Sequence, residues 1–199
     1  MILVITSEKT VHDEIEIINQ MFHEGLDLLH IRKPMMSRED IENFVQGIEE
    51  EFYPQLVLHG NDDQGKGHLI SRFHFSEANR LKRGHKTFVG ENIISTSVHN
   101  IHVFNALGKE WEYAFLSPVF PSISKKGYGE QSTVLEDIQY RNNREVQLIA
   151  LGGINEHNIS RVFADGADGA ALLGAIWESD DPADTFRKCR QKAILSQSY

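Results

Sequence analysis

The feature that most constrains this chain is a set of eight short β-branched or apolar runs, separated by stretches long enough to cross back over a sheet. The runs are 2–6 ILVIT, 27–32 DLLHIR, 55–59 QLVLH, 72–75 RFHF, 93–98 IISTSV, 113–117 YAFLS, 146–151 VQLIAL and 168–173 DGAALL. Strand-like runs alternating with amphipathic segments predict a parallel sheet with crossover helices. Eight of them can close a barrel, whereas an open doubly wound sheet usually needs fewer. The expected fold is α/β, a single (β/α)8 TIM barrel filling residues 1–199 as one domain. At 199 residues it would be close to minimal in size.

The intervening segments carry helix signals. Val11, Ile15, Ile18 and Phe22 recur at helical spacing, and Gly25 stops that stretch. Ser37 with Asp40 resembles a capping box ahead of the apolar stripe Ile41, Phe44, Val45 and Ile48. Asn155 is placed to cap a helix carrying Ile159, Val162 and Phe163, and Pro182 suits the first turn of the last helix. Residues 60–71 and 76–87 read poorly as helices, so degenerate crossovers are expected there.

The formal charge of −9 would repel nucleic acid and anionic membrane as a whole, while leaving room for a basic pocket. No apolar stretch reaches the roughly 18 residues of a spanning helix, and residues 1–6 are too short for a signal segment. Cys189 is the single cysteine, which excludes an internal disulfide and a multi-cysteine zinc site. A cytoplasmic setting is the expectation.

Chemistry is expected where small residues follow strands. Gly152-Gly153 and Gly174-Ala175 each come directly after a buried run. After the seventh and eighth strands of a barrel, backbone N–H groups and a helix N-terminus form an anion site, and small residues leave those groups unobstructed. The plainer alternative is that the glycines only make tight turns. A second candidate is the loop 115–127, where Ser122, Ser124 and Lys125 could meet phosphate oxygens or leaving-group charge. Arg32, ending the second strand, offers a guanidinium that matches phosphate in bidentate fashion, or else a surface ion pair. Ser95, Ser97 and His99 end the fifth strand. His30, His59 and His74 lie in or end strands and could face the mouth, although a packed histidine is commoner than a ligand. The ten histidines do not form a recognisable metal motif, and there is no G-x-S-x-G, H-E-x-x-H or Walker loop.

The ordered set His30-Ile-Arg32, Ser97-Val-His99, Ser117-Pro-Val-Phe-Pro121 with Lys125, Ala150-Leu-Gly-Gly-Ile154 and Asp168-Gly-Ala-Ala resembles the thiamine phosphate synthase and TenI family. The resemblance implies a (β/α)8 barrel that is usually a small homo-oligomer, here expected as a dimer, acting on small-molecule phosphates. In the synthases a hydroxymethylpyrimidine diphosphate ionises and the thiazole phosphate nitrogen captures the cation, with Mg2+ on the departing pyrophosphate. Position by position, Arg32 matches the diphosphate arginine, Lys125 the lysine assisting departure, and Ser97 a serine near the leaving group. Gly153 and Gly174, with Gly152 and Ala175 beside them, match the thiazole-phosphate cradle.

The chain also departs from the pattern. His59-Gly60 stands where a synthase carries an Asn-Asp pair, with Asn61-Asp62 directly after. Asn79 stands at the second magnesium carboxylate, and Glu77 is the nearest acid. The metal candidates are therefore Asp62 and Glu77. Pro34 and His30 replace a lysine and a glutamine, and Pro118 occupies the position of the tautomerase histidine. Three alternatives stay open beside the synthase. One is a TenI-like thiazole phosphate tautomerase using His30, His59 or His99 as proton carrier; one is a non-catalytic thiazole-phosphate-binding protein. The third is a barrel acting on another small phosphate ester.

Overall fold

The computed structural model describes residues 1–60, 69–82, 84–90, 92–123, 127 and 129–196. Eight parallel strands close in sequence order, with β8 returning to β1. They are β1 Ile2–Ile5, β2 Leu28–Ile31, β3 Leu56–His59, β4 Arg72–Phe75, β5 Ile93–Val98, β6 Trp111–Leu116, β7 Gln147–Leu151 and β8 Gly169–Leu172. The sequence pattern therefore finds every strand. β6 begins two residues before its predicted start, because Trp111 is buried and Glu112 pairs with Arg72 across the barrel base.

Both faces of the sheet are covered, which is why the strands read as continuous apolar runs. Period-two alternation sends Leu3, Ile5, Leu28, Val57, Tyr113, Phe115, Ile149 and Ala171 into the barrel. Their neighbours Ile2, Val4, Leu29, Ile31, Leu56, Leu58, Ala170 and Leu172 pack outward against the helical layer. The same alternation turns His30, His59, His74, Ser95 and Ser97 inward, one residue out of phase with the outward set.

The helical layer is uneven. α1 (Glu14–His23) and α2 (Arg38–Gln46) are regular, and Ser37 with Asp40 forms the expected capping box. α3 (Glu77–Leu81) and a 3-10 turn at Gly84–Thr87 fill the β4–β5 crossover, as its weak helical pattern anticipated. Most of the β3–β4 crossover, residues 61–68, lies outside the described residues. α4 (Ile101–Asn105), α5 (Val134–Asp137), α6 (Ile159–Ala164), α7 (Gly174–Trp177) and α8 (Pro182–Ser196) complete the layer. Pro182 opens α8 as expected, and α8 packs on α1, α6 and α7 through the buried Phe186 and Cys189.

Asn155 does not cap α6. Its side chain is occupied in a turn, accepting from the His157 N–H at 2.9 Å, and the N-cap position falls to Asn158.

Carboxylates and one arginine order the far end of the barrel. Asp27 accepts the Ile2 N–H at 2.6 Å, and Asp168 accepts the Leu148 N–H at 2.7 Å. Arg141, nearly fully buried, pairs with Asp168 at 2.6 Å and donates to the Val146 carbonyl at 2.9 Å. Across the closing seam, the Trp177 indole N–H donates to the Ile5 carbonyl at 2.7 Å. Among the described residues no helix is long and apolar enough to cross a membrane.

Candidate functional site

Among the described residues, two cavities lie at the carboxyl ends of the strands. One, of about 200 Å3, is lined by Arg32, Lys33, Pro34, His59, Gly60, His74, Ser76 and Asn79, with Ile31, Ile41 and Leu58 behind them. The other, of about 180 Å3, is lined by Ser117, Pro118, Ser122, Ile123, Leu151, Gly152, Gly153, Ile154, Ala171, Leu173 and Gly174. The first sits over β2, β3 and β4, the second over β6, β7 and β8. This is the end at which barrels of this type place their chemistry.

Beneath the first cavity lies a cluster of polar rings. His59 and His74 are direct partners in the β3–β4 register, with ring centroids 4.4 Å apart. His30 Nδ1 lies 2.9 Å from His59 Nε2, and its Nε2 lies 2.8 Å from the Tyr113 hydroxyl. His74 Nδ1 lies 2.9 Å from Ser95 Oγ, and its Nε2 lies 2.8 Å from Ser97 Oγ. Ser95 also donates to the Phe73 carbonyl at 3.4 Å, so the network assigns the His74 proton to Nδ1 and leaves Nε2 to accept from Ser97. Burial disfavours the charged form of all three rings. His74 is held down to about 3, chiefly by desolvation, with the Arg32 guanidinium adding to it. His30 and His59 are likewise held well below the ordinary imidazole range by burial first and by their neighbours' charge second. Burial also raises the Tyr113 hydroxyl.

Arg32 is half-buried at the rim and ion-paired with Glu8, and its backbone N–H donates to Thr6 Oγ1 at 2.9 Å. The surface pairing expected as its plainer alternative is therefore present, on a side chain that nonetheless lines the cavity. Lys33 lines the same cavity, but its charge is taken up by Glu14. Its ammonium is bonded to both oxygens of Glu14, at 2.8 and 2.6 Å, with both side chains under a tenth exposed. Burial raises the Glu14 carboxyl, and Lys33 partly offsets this. Sequence reasoning missed this pair and missed Tyr113. The period-two relation of Tyr113 to Phe115 could have found the tyrosine, since both face the interior.

In the second cavity Gly152, Gly153 and Gly174 meet as expected. Gly152 and Gly153 have φ of 111° and 62°, in the region that favours glycine. Their close neighbours belong to the β6 loop: a Cβ on Gly153 would stand 2.1 Å from the Pro121 carbonyl oxygen. Tight turning and cavity lining thus coexist at the same residues. Ser122, from that loop, lines the cavity too.

Several expected residues lie elsewhere. Ala175, the second residue of α7, is one position past the cavity lining, which ends at Gly174. His30 is fully buried with both nitrogens engaged and reaches neither cavity lining, because Leu28 and His30 point into the barrel interior. His99 is exposed, its Nδ1 2.9 Å from the Ser117 carbonyl oxygen, and lines neither cavity. Glu77 sits on α3 paired with Arg80 at 3.1 Å, while Asn79 faces the cavity from the same helix. Ser97 is held against His74. Asp62, Ser124 and Lys125 lie outside the described residues.

A family model described as thiamine monophosphate synthase matches residues 1–176. A thiamine-phosphate synthase of Anoxybacillus flavithermus is 36% identical over 95 residues, 46% of this chain and 43% of that protein. One from Bacillus velezensis is 31% identical over 117 residues, 55% of this chain and 52% of that protein. The chain thus spans about half the length of the curated relatives it matches. Among solved structures, a thiamine phosphate pyrophosphorylase from Bacteroides thetaiotaomicron superposes with a TM-score of 0.78 at 24% identity, covering 98% of both chains. One from Pyrococcus furiosus gives 0.80 at 17% identity, covering 98% of this chain and 96% of that one. At such identities these two likenesses speak to the fold.

Proposed function

This chain belongs to the thiamine monophosphate synthase family, and from that membership we propose that it joins a hydroxymethylpyrimidine diphosphate to a thiazole phosphate, releasing pyrophosphate. The observation that carries this reading is the pair of cavities at one barrel mouth, one with a guanidinium and one with three glycines after β7 and β8. A reaction between two phosphorylated substrates needs two such places.

In this reading the thiazole phosphate occupies the glycine cavity, where Gly152, Gly153 and Gly174 let it approach the backbone and Ser122 offers a hydroxyl. The diphosphate occupies the Arg32 cavity. Arg32 exchanges Glu8 for phosphate oxygens and stabilises the charge that grows on the leaving group. Ser97 acts through His74, which lines the same cavity and is held in one tautomer by its two serines. Lys125 enters by family resemblance alone. A cytoplasmic, dimeric enzyme is the setting this reading carries.

Magnesium prefers a shell of oxygen ligands, with carboxylates and substrate phosphate among them. Among the described residues no carboxylate lines the Arg32 cavity, and Glu77 is committed to Arg80. Asp62, the other candidate ligand, lies outside the described residues, and among those described Arg32 is the cation that faces the diphosphate place.

The test is thiamine phosphate formation from both substrates by folded protein, with pyrophosphate release measured in parallel. Arg32→Gln should lower kcat/KM by roughly 10²–10³, the scale of losing one charge-stabilising donor. Formation no faster than background rejects the synthase. Tight thiazole phosphate binding without turnover would replace it with the non-catalytic binder. Isomerisation of a carboxylated thiazole phosphate, lost on replacing His59 or His99, would replace it with the tautomerase.

A further inference from the structure

We infer that His30, His59 and His74 form a binding site for a transition-metal dication of the zinc class, with its remaining coordination positions open to the Arg32 cavity. The inference is independent of the reaction proposed above.

Three features carry it. One ring nitrogen from each histidine lies within 4.8 Å of the other two. The three rings come from adjacent strands in fixed register, so the barrel itself holds them together. Two of the rings are braced from behind by hydroxyls, His30 by Tyr113 at 2.8 Å and His74 by Ser95 at 2.9 Å. A metal-bound imidazole ordinarily has its second nitrogen held in this manner, which fixes the tautomer and aims the ligand nitrogen.

The donor set selects the ion. Three neutral imidazoles suit zinc, cobalt, nickel or copper, and oxygen-seeking magnesium and calcium gain little from them. Tetrahedral zinc with bonds of about 2.0–2.1 Å holds its ligand nitrogens roughly 3.3 Å apart. The His30–His59 contact stands at 2.9 Å and the other separations are no more than 4.8 Å, which brackets that spacing. Entry of the ion replaces the 2.9 Å contact between His30 Nδ1 and His59 Nε2, and releases His74 Nε2 from Ser97. His59, half-buried on the cavity wall, gives the route in. Water or a phosphate oxygen of a ligand in the cavity would complete the shell, the open arrangement of a three-histidine site.

A second grouping, His23 with Glu49 and Glu51, is wholly exposed on the outer surface and serves as a control. Protein stripped with a chelator and titrated with Co2+ should take up one equivalent and develop the visible bands of four-coordinate cobalt, which Zn2+ then bleaches. His59→Ala should weaken uptake at least 100-fold while the far-ultraviolet circular dichroism stays native. His74→Asn offers a second deletion of a ligand. His23→Ala should leave both stoichiometry and spectrum unchanged. Folded wild-type protein that takes up no stoichiometric cobalt or zinc overturns the inference. So does uptake abolished by His23→Ala, or four-coordinate bands that survive His59→Ala and His74→Asn in folded protein.

Discussion

Single residues here answer to what surrounds them more than to their type. Lys33 and Arg32 are neighbours in sequence and line the same cavity, yet Arg32 stays half-buried at the rim while the Lys33 ammonium is sealed against Glu14. Removing one member of a buried pair strands the other charge, so Lys33→Met should destabilise the protein by about 3–5 kcal/mol. The double variant Lys33→Met with Glu14→Leu should recover most of that. Urea unfolding monitored by circular dichroism measures both, and equal losses in the two would contradict the pairing. Tyr113→Phe should cost about 1–3 kcal/mol by leaving His30 Nε2 without its hydroxyl. The residues legible in the sequence were those whose position in a strand or just after it decides their direction: Arg32, His59, Gly153 and Gly174. Lys33–Glu14 was not legible, because the pair joins the end of β2 to the first turn of α1, and one-dimensional spacing does not register that meeting. Glu77 was named only as the acid nearest to Asn79, and it turns to Arg80 while Asn79 lines the cavity. Two residues apart on a one-turn helix, they face nearly opposite directions, and the periodicity of so short an element cannot say which of them looks inward.

At the scale of elements, most strands were readable as apolar runs because both faces are buried, and β4 and β5 were readable by the alternation that turns His74, Ser95 and Ser97 inward. The helices were readable only where length permits a stripe. α2 carries both its stripe and its capping box, and Ser37→Ala should cost about 1 kcal/mol. Ser37→Gly should cost less, and a reversed order of the two midpoints would count against the cap. α6 is six residues long, and its start was misread because Asn155 could equally make the turn that precedes a helix. Arg141 ties the segment before β7 to the residue before β8. Truncating it leaves the Val146 carbonyl unbonded and Asp168 without its cation. Arg141→Met should therefore lower thermal stability by roughly 3 kcal/mol, and an unchanged melting temperature would show the clamp to be dispensable.

The whole molecule carries a pH signature. Three histidines whose folded-state pKa values lie below the ordinary 6.5 bind fewer protons folded than unfolded. The stability they contribute is complete above pH 6.5 and falls as pH drops towards about 3, the value held at His74. His74 adds a slope of up to about 1.4 kcal/mol per pH unit within that window, and His30 and His59 act in the same direction. Unfolding midpoints measured from pH 7.5 to 4.5 should fall steeply, and His59→Gln should flatten the curve. A profile level down to pH 5 would show that the rings are already charged in the folded state.

The interior below the mouth is filled by Leu3, Ile5, Leu28, Val57, Tyr113, Phe115, Ile149 and Ala171. A floor packed with such bulk gives the barrel one doorway. Both cavities lie on the same side of that floor, so molecules reach either of them from a single direction.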